Sequence, residues 1–164
     1  MAKKVQIFNN FLDQEVFLEI KKFIMSPRCQ WRYVSYIAHK DGRDNDNDGY
    51  FVHSFKDCHP QTFEDRYPES PHFPLIAKIL DKIKYQNILR IRSSLYPRRD
   101  VQKPDPFHID YDFPHKVCIF YVNTNNGYTM FENGEKIPSV ENQLATFDGN
   151  EKHCSVVQTD TSAR

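Results

Sequence analysis

The sequence lacks three features that would place it in a broad class at once: an excess of charge, a long apolar run and a pair of closely spaced cysteines. Lys plus Arg number 22 and Asp plus Glu also number 22, so no global electric field favours nucleic acid or an anionic membrane. No apolar run approaches the ~18 residues of a membrane span, and no apolar segment follows the two N-terminal lysines as in a signal peptide. We therefore expect a cytoplasmic protein without a nucleic-acid or membrane partner.

The four cysteines, none of which belongs to a CxxC motif, are predicted to be reduced and mostly buried. A chain of 164 residues corresponds to one domain that buries about two-thirds of its unfolded surface. The core is therefore expected to fold without help from a disulfide or a metal.

Apolar residues recur with helical spacing in two segments of the first half and with strand character elsewhere. The pattern predicts helices over residues 13–24, with Asp13 as the N-cap, and over 73–83, with Pro74 in the first turn. Strands are predicted over 31–38, 88–96 and 117–123, the last of them buried on both faces. In the second of these strands the polar residues share one face, which either lines a substrate cleft or meets solvent: Arg90, Arg92, Ser94 and Tyr96.

Three turn dipeptides follow in quick succession and predict hairpins: Asn126-Gly127, Asn133-Gly134 and Asp148-Gly149. The segments YTMFE, QLATF and HCSVVQ between and after them have the length of strands. Such a run of short antiparallel strands closes into a barrel or a double-sheet jelly roll, with the helices covering one side.

The polar segment 40–50 is predicted to be a solvated loop, and a flap over the site is an alternative. Its DNDNDG stretch resembles the start of an EF-hand loop, but Phe55 stands where the calcium-binding Glu is required.

The stretch FHIDYD carries the strongest chemical signal. His108 and Asp110 are two residues apart, so on a strand they project from the same face and can bind one ion. Two His and one carboxylate are typical of iron(II) oxygenases, which keep the remaining coordination positions open. The third ligand is His115 or His153, and we favour His153 because it opens a strand of the same run. Alternatively, His108 and Asp110 only hydrogen-bond to each other at a strand end.

A longer series of features in the same order resembles the iron(II)- and 2-oxoglutarate-dependent oxygenases, specifically their prolyl-hydroxylase-like branch. The resemblance covers residues 88–164, and the opening FNNFLDQEVFLEIKKFI is similar to the N-terminal helix of that branch. Its motifs are Tyr96-Pro97, His108 with Asp110, Phe120 to Asn123, Gly127, Thr129 with Phe131, Pro138, Phe147, His153 and, eleven residues later, Arg164.

The resemblance implies a mainly β (α+β) fold: a double-stranded β-helix (jelly roll) with N-terminal supporting helices. Residues 1–164 would form a single oxygenase-like domain. In the family the arginine opens the last core strand, and here Arg164 is the last residue of the sequence, so that strand is expected to be absent. The expected ligands of Fe(II) are His108, Asp110 and His153.

The resemblance also implies a site for the cosubstrate 2-oxoglutarate. Arg164 would pair with its distal carboxylate, Tyr121 would donate its hydroxyl to the same group, and Tyr96 would reach the cosubstrate or line the pocket. An arginine suits this task because its guanidinium binds a carboxylate with charge-assisted, often bidentate hydrogen bonds.

The implied reaction consumes O₂, converts 2-oxoglutarate to succinate and CO₂, and hydroxylates a C–H bond of a small molecule, peptide or protein. Two alternatives stay open from the residues alone. One is a cupin-like zinc hydrolase or isomerase. The other is a jelly roll that binds a metal or small ligand without catalysis.

Overall fold

The computed structural model describes residues 5–36 and 49–164, and this part of the chain is mainly β. Its helices are α1 (Gln14–Ile24) and α2 (Phe73–Leu80). Its strands are β1 (Val5–Phe8), β2 (Arg32–Val34), β3 (Tyr50–Asp57), β4 (Arg90–Leu95), β5 (Lys116–Tyr121), β6 (Tyr128–Phe131), β7 (Lys136–Pro138), β8 (Gln143–Asp148) and β9 (His153–Val156).

Both predicted helices are confirmed and supply one side of the main core. α1 starts directly after Asp13, although the Asp13 side chain makes no capping hydrogen bond, and α2 carries Pro74 in its first turn. α2 ends three residues earlier than predicted, in a tight turn in which the Lys82 N–H bonds to the Ile79 carbonyl. The buried faces of the helices pack with residues of β3 and β8 in one cluster: Leu12, Phe17, Ile20, Ile24, Cys29, Phe55, Ile76, Ile79 and Leu144.

The strands of the described residues form three antiparallel sheets, ordered β1-β8-β5, β2-β3-β4 and β7-β6-β9. The chain passes from one sheet to another between β5 and β6 and again between β8 and β9. The hairpins predicted at Asn126-Gly127 and Asp148-Gly149 are therefore wrong. Only Asn133-Gly134 closes a hairpin, between β6 and β7, with Gly134 at φ 85°. β8 instead pairs along its length with both β1 and β5, and this long-range pairing overrides the local turn signal.

One predicted strand is more exposed than expected and another is shorter, whereas the cysteines agree with the prediction. β5 is not buried on both faces: Lys116 and Cys118, which project from the same face, are exposed. The strand predicted over 31–38 is shorter, at Arg32–Val34, and its last two residues lie outside the described ranges. The loop predicted over 40–50 also lies mostly outside them, but Tyr50 opens β3, which the sequence did not predict. All four cysteines are free and three of them are buried, as expected.

Neither described helix has the length and apolar character needed to cross a membrane.

Candidate active site

His108 and His153 are neighbours across an antiparallel pair of backbones. The N–H of each residue donates to the carbonyl of the other, both at 3.0 Å, and their imidazole rings lie 4.8 Å apart between centroids. Directly paired residues of this kind project from the same face of a sheet. A second bridge, Pro104 with Val156, extends the pairing and places the segment 104–108 along the free edge of β9. The sequence alone does not specify this pairing, which brings two distant histidines together.

Asp110 lies beside the two histidines and is shared between a histidine and an arginine. Its Oδ2 is 4.0 Å from Nε2 of His153, and its Oδ1 accepts a hydrogen bond from Nη2 of Arg90 at 2.5 Å. Its side chain is only 15 % exposed, so the arginine stabilises a carboxylate that has lost most of its water. The partner of Asp110 on this side is thus Arg90, and the alternative of a simple His108–Asp110 hydrogen bond is not what the structure contains.

Hydrogen bonds at the far side of each ring determine which imidazole nitrogen is available for a metal. Nδ1 of His108 lies 3.2 Å from the Pro106 carbonyl, and Nδ1 of His153 lies 3.0 Å from the Glu151 carbonyl. A carbonyl can only accept, so Nδ1 carries the proton in each neutral ring and Nε2 keeps its lone pair. This is the tautomer in which a histidine ligates through Nε2 while a backbone oxygen orients the ring.

The electrostatics of His108 and Asp110 favour the protonation states in which each can coordinate a metal. Burial lowers the pKa of His108, and the neighbouring His153 lowers it further. Burial alone would raise the pKa of Asp110, but the charge and hydrogen bond of Arg90 outweigh it and the pKa lies below its ordinary value. At neutral pH the three side chains therefore include a neutral His108 and an ionised Asp110.

All six residues singled out in the sequence line one cavity of about 1040 Å³. They are His108, Asp110, His153, Tyr96, Tyr121 and Arg164. Residues 90–96 all border this cavity, so it does not distinguish the polar face predicted for β4 from the opposite face, and Arg92 is exposed. This volume is slightly above the range of about 300–1,000 Å³ that is usual for small-molecule sites.

Arg164 is held by neutral oxygen atoms close to two tyrosines. Its Nε donates to Oγ of Ser139 at 2.8 Å and its Nη2 to Oγ1 of Thr129 at 3.3 Å. The guanidinium carbon is 5.8 Å from the centre of the Tyr121 ring and 6.0 Å from that of Tyr96. The Tyr121 hydroxyl shares a 2.9 Å hydrogen bond with Thr129, so these side chains form one connected polar group. Burial raises the pKa of Tyr121 even though Arg164 opposes the shift, so the hydroxyl keeps its proton and can donate.

Sequence reasoning missed three residues that support this group. Thr129 belonged to a recognised motif but had no assigned role, and nothing in the sequence drew attention to Ser139. Tyr50 stacks on Tyr96 with 5.0 Å between ring centres and 7° between ring planes, so it fixes the orientation of that ring. Tyr50 is at the start of β3, the strand that the sequence did not predict. The alternation of Tyr50 and Val52, both of which are buried, is the signal that could have indicated this strand.

His115, the other candidate for the third ligand, also lines the cavity but has different neighbours. Its ring contacts are with Tyr111 and Phe113, and its Nε2 is buried without a hydrogen-bond partner. A Cβ added at Gly149 would lie only 2.0 Å from this Nε2, so the imidazole packs directly against the Gly149 backbone. The residue that pairs with His108 is His153.

Within the described ranges, no three His, Cys, Asp or Glu side chains are assembled into a ready-made metal-holding group. His108, Asp110 and His153 lie close to one another, with 4.0 Å between Oδ2 of Asp110 and Nε2 of His153. Their chemistry nonetheless fits a divalent transition metal: two imidazoles with Nε2 available and one ionised carboxylate.

No protein-family model matches the chain, and no curated protein is similar enough to it to count as a relative.

Proposed function

We propose that the chain is an Fe(II)- and 2-oxoglutarate-dependent dioxygenase that hydroxylates a C–H bond of a small-molecule or peptide substrate. The observation that carries this proposal is the pairing of His108 with His153 beside Asp110 in a cavity that also contains Arg164 and Tyr121. A metal-ligand set and a carboxylate-binding set on one cavity are what such a reaction requires.

We further propose that the fold is a double-stranded β-helix with α1 and α2 as its supporting layer. The support is the way in which successive strands alternate between sheets. The segment 104–108, β9, β6 and β7 are neighbours in that order, while β5 and β8 pair with each other in a separate sheet. This alternation is the winding expected of a jelly roll.

Three side chains would hold the metal. His108 and His153 would ligate through Nε2 because their Nδ1 atoms face carbonyls, and Asp110 would ligate through Oδ2 because Oδ1 is bonded to Arg90. The bound iron would supply the activation of O₂ and the oxidation of 2-oxoglutarate.

Arg164 and Tyr121 would bind the distal carboxylate of 2-oxoglutarate. The guanidinium donates to three neutral oxygens, those of Ser139, Thr129 and the Val156 carbonyl. These bonds do not neutralise its positive charge, which is therefore available for an anion. Thr129 orients the Tyr121 hydroxyl beside the guanidinium, which allows both groups to donate to one carboxylate.

A succinate-release assay with added Fe(II), 2-oxoglutarate and O₂ tests the proposal, run against a panel of peptides and amino acids. His153→Ala is expected to abolish both metal-dependent succinate formation and the binding of Co(II), used as a stable substitute for Fe(II). His115→Gln, which alters an imidazole of the same cavity, is expected to retain Co(II) binding. Wild-type turnover in His153→Ala would contradict the assignment.

The alternatives give different results in the same experiment. Turnover that requires Zn²⁺ but neither O₂ nor 2-oxoglutarate would support a cupin-like hydrolase or isomerase. Binding of both metal and 2-oxoglutarate without succinate release would support a non-catalytic binding protein.

A further inference from the structure

Arg90 is the residue through which β4 reaches the metal-ligand set. Its Nη2 bonds to Oδ1 of Asp110 at 2.5 Å, and its guanidinium carbon lies 5.5 Å from the centre of the Tyr111 ring. The side chains of Arg90 and Asp110 are 26 % and 15 % exposed, so the pair is largely shielded from water. A short contact fixed by a neighbouring ring orients a carboxylate far better than an exposed ion pair does.

We propose that Arg90 is a positioning residue of the metal site, which occupies Oδ1 of Asp110 and leaves Oδ2 as the one carboxylate oxygen available for coordination. The inference rests on the proposed function, because it assigns a role toward the same metal. It adds a residue that no motif of the sequence assigns to the site.

The positioning has a chemical consequence. A carboxylate with two free oxygens can chelate an ion through both and fill a coordination position that a cosubstrate or O₂ would need. With Oδ1 held by Arg90, Asp110 contributes one oxygen. The oxygen that remains is Oδ2, which faces Nε2 of His153.

Arg92 provides a matched control on the same strand. It lies two residues from Arg90, lines the same cavity and carries the same charge, but it is exposed, and its aromatic contact is with the Tyr50 ring at 5.8 Å. Replacing either arginine by methionine removes one positive charge near the site. Only the replacement of Arg90 also releases Asp110, so the difference between the two variants isolates positioning from long-range charge.

The experiment is a Co(II) titration of the metal-free protein, followed by visible absorption of the bound ion. Arg90→Met is expected to bind Co(II) about 10- to 100-fold more weakly, the range found when the partner of a metal ligand is removed. Arg92→Met should change the affinity by less than about threefold, because an exposed charge is screened by water and salt. The Co(II) absorption spectrum should change in Arg90→Met and stay as in the wild type in Arg92→Met.

A double-variant cycle establishes whether Arg90 acts through Asp110. In an Asp110→Ala background, Arg90→Met is expected to have no further effect on Co(II) affinity. A further loss as large as in the single variant would overturn the positioning role, since Arg90 would then act independently of the carboxylate.

The remaining outcomes separate this inference from the proposed function. A wild-type protein that fails to bind Co(II) would remove the proposed function itself. A wild type that binds, together with an Arg90→Met variant that binds equally well, would refute only the role of Arg90. Melting curves recorded in a chelator show whether Arg90→Met is folded. If it is not, Arg90→Gln takes its place, because it keeps a polar side chain but loses both the charge and the reach of the guanidinium, and wild-type affinity in that variant would also overturn the positioning role.

Discussion

Replacing Arg164 by methionine is expected to weaken the binding of 2-oxoglutarate without abolishing the chemistry. The substitution keeps a long apolar side chain but removes the only group of the cluster formed with Tyr121, Thr129 and Ser139 that carries a positive charge. A hydrogen bond to a charged group contributes about 1.5–3 kcal/mol, which corresponds to a loss of affinity of about 10- to 150-fold. The loss should therefore appear mainly as a higher KM for 2-oxoglutarate.

The same change also removes the partners of buried oxygens. Ser139 and Thr129 are 1 % and 3 % exposed, and each accepts a hydrogen bond from Arg164 in the intact protein. Thr129 keeps its hydrogen bond to Tyr121, but Ser139 Oγ loses its donor, which costs about 1–3 kcal/mol of folding stability, so thermal unfolding must be measured in parallel. Calorimetric titration of the Mn(II)-loaded protein with 2-oxoglutarate in the absence of O₂ separates binding from turnover.

Arg98→Met serves as the control, since Arg98 is exposed and removing it changes the net charge equally. The control should bind 2-oxoglutarate as the wild type does. If Arg164→Met binds 2-oxoglutarate as tightly as Arg98→Met, another residue holds the carboxylate and the assignment of the cosubstrate site is wrong.

Two further predictions concern pH and a turn. The pKa of His108 is lowered from its ordinary 6.5 on folding, so below that value the unfolded chain binds more protons than the folded one. Stability of the metal-free protein should therefore fall as pH drops below 6.5, seen as a lower urea midpoint at pH 5.5 than at 7.5, with a smaller difference in His108→Gln. In Gly127→Ala the new Cβ would lie 2.9 Å from the Val156 carbonyl oxygen and 3.0 Å from Cδ of Arg164, so both stability and 2-oxoglutarate affinity should fall, by about 1–3 kcal/mol for stability. Gly134→Ala should lower stability through its positive φ but leave that affinity unchanged, and an equal loss of affinity in both variants would show that Arg164 is not the reason.

The elements that the sequence predicted well are those whose signal is local. α1 and α2 follow from apolar residues three and four apart, and β4 follows from alternation, because these periods reflect the geometry of a single element. The turn signals were weaker guides for a related reason. A dipeptide such as Asp148-Gly149 can reverse the chain, but whether the next strand returns to the same sheet depends on partners elsewhere in the chain, here β6 for β9.

In the candidate site, too, local features could be predicted from the sequence and long-range contacts could not. The spacing of His108 and Asp110 is a local property of the sequence, so it could be recognised from six residues. The strand expected to carry both is wrong, however: His108 makes an isolated bridge and Asp110 lies at a bend, because only His108 has a backbone partner in β9. The choice of His153 over His115 required knowledge of which strands pair, and the sequence supported it only through position. Arg90 was visible as part of a polar strand face, yet its partner was not, because its contact with Asp110 spans two different segments and forms only in the folded chain.

Two of the arginines that line the cavity, Arg90 and Arg164, show why residue type alone does not define a role. Arg90 is bonded to a carboxylate, so its charge is balanced by Asp110 and its effect is to orient that side chain. Arg164 makes its hydrogen bonds to neutral oxygens, so its charge is not balanced within those bonds. A cationic side chain that neutral partners already hold in place loses little conformational entropy when it binds an anion. It also keeps its existing hydrogen bonds, because the anion does not have to replace a carboxylate partner. Under the proposed function, this distribution of partners favours Arg90 as the residue that orients Asp110 and Arg164 as the residue that binds the anionic cosubstrate.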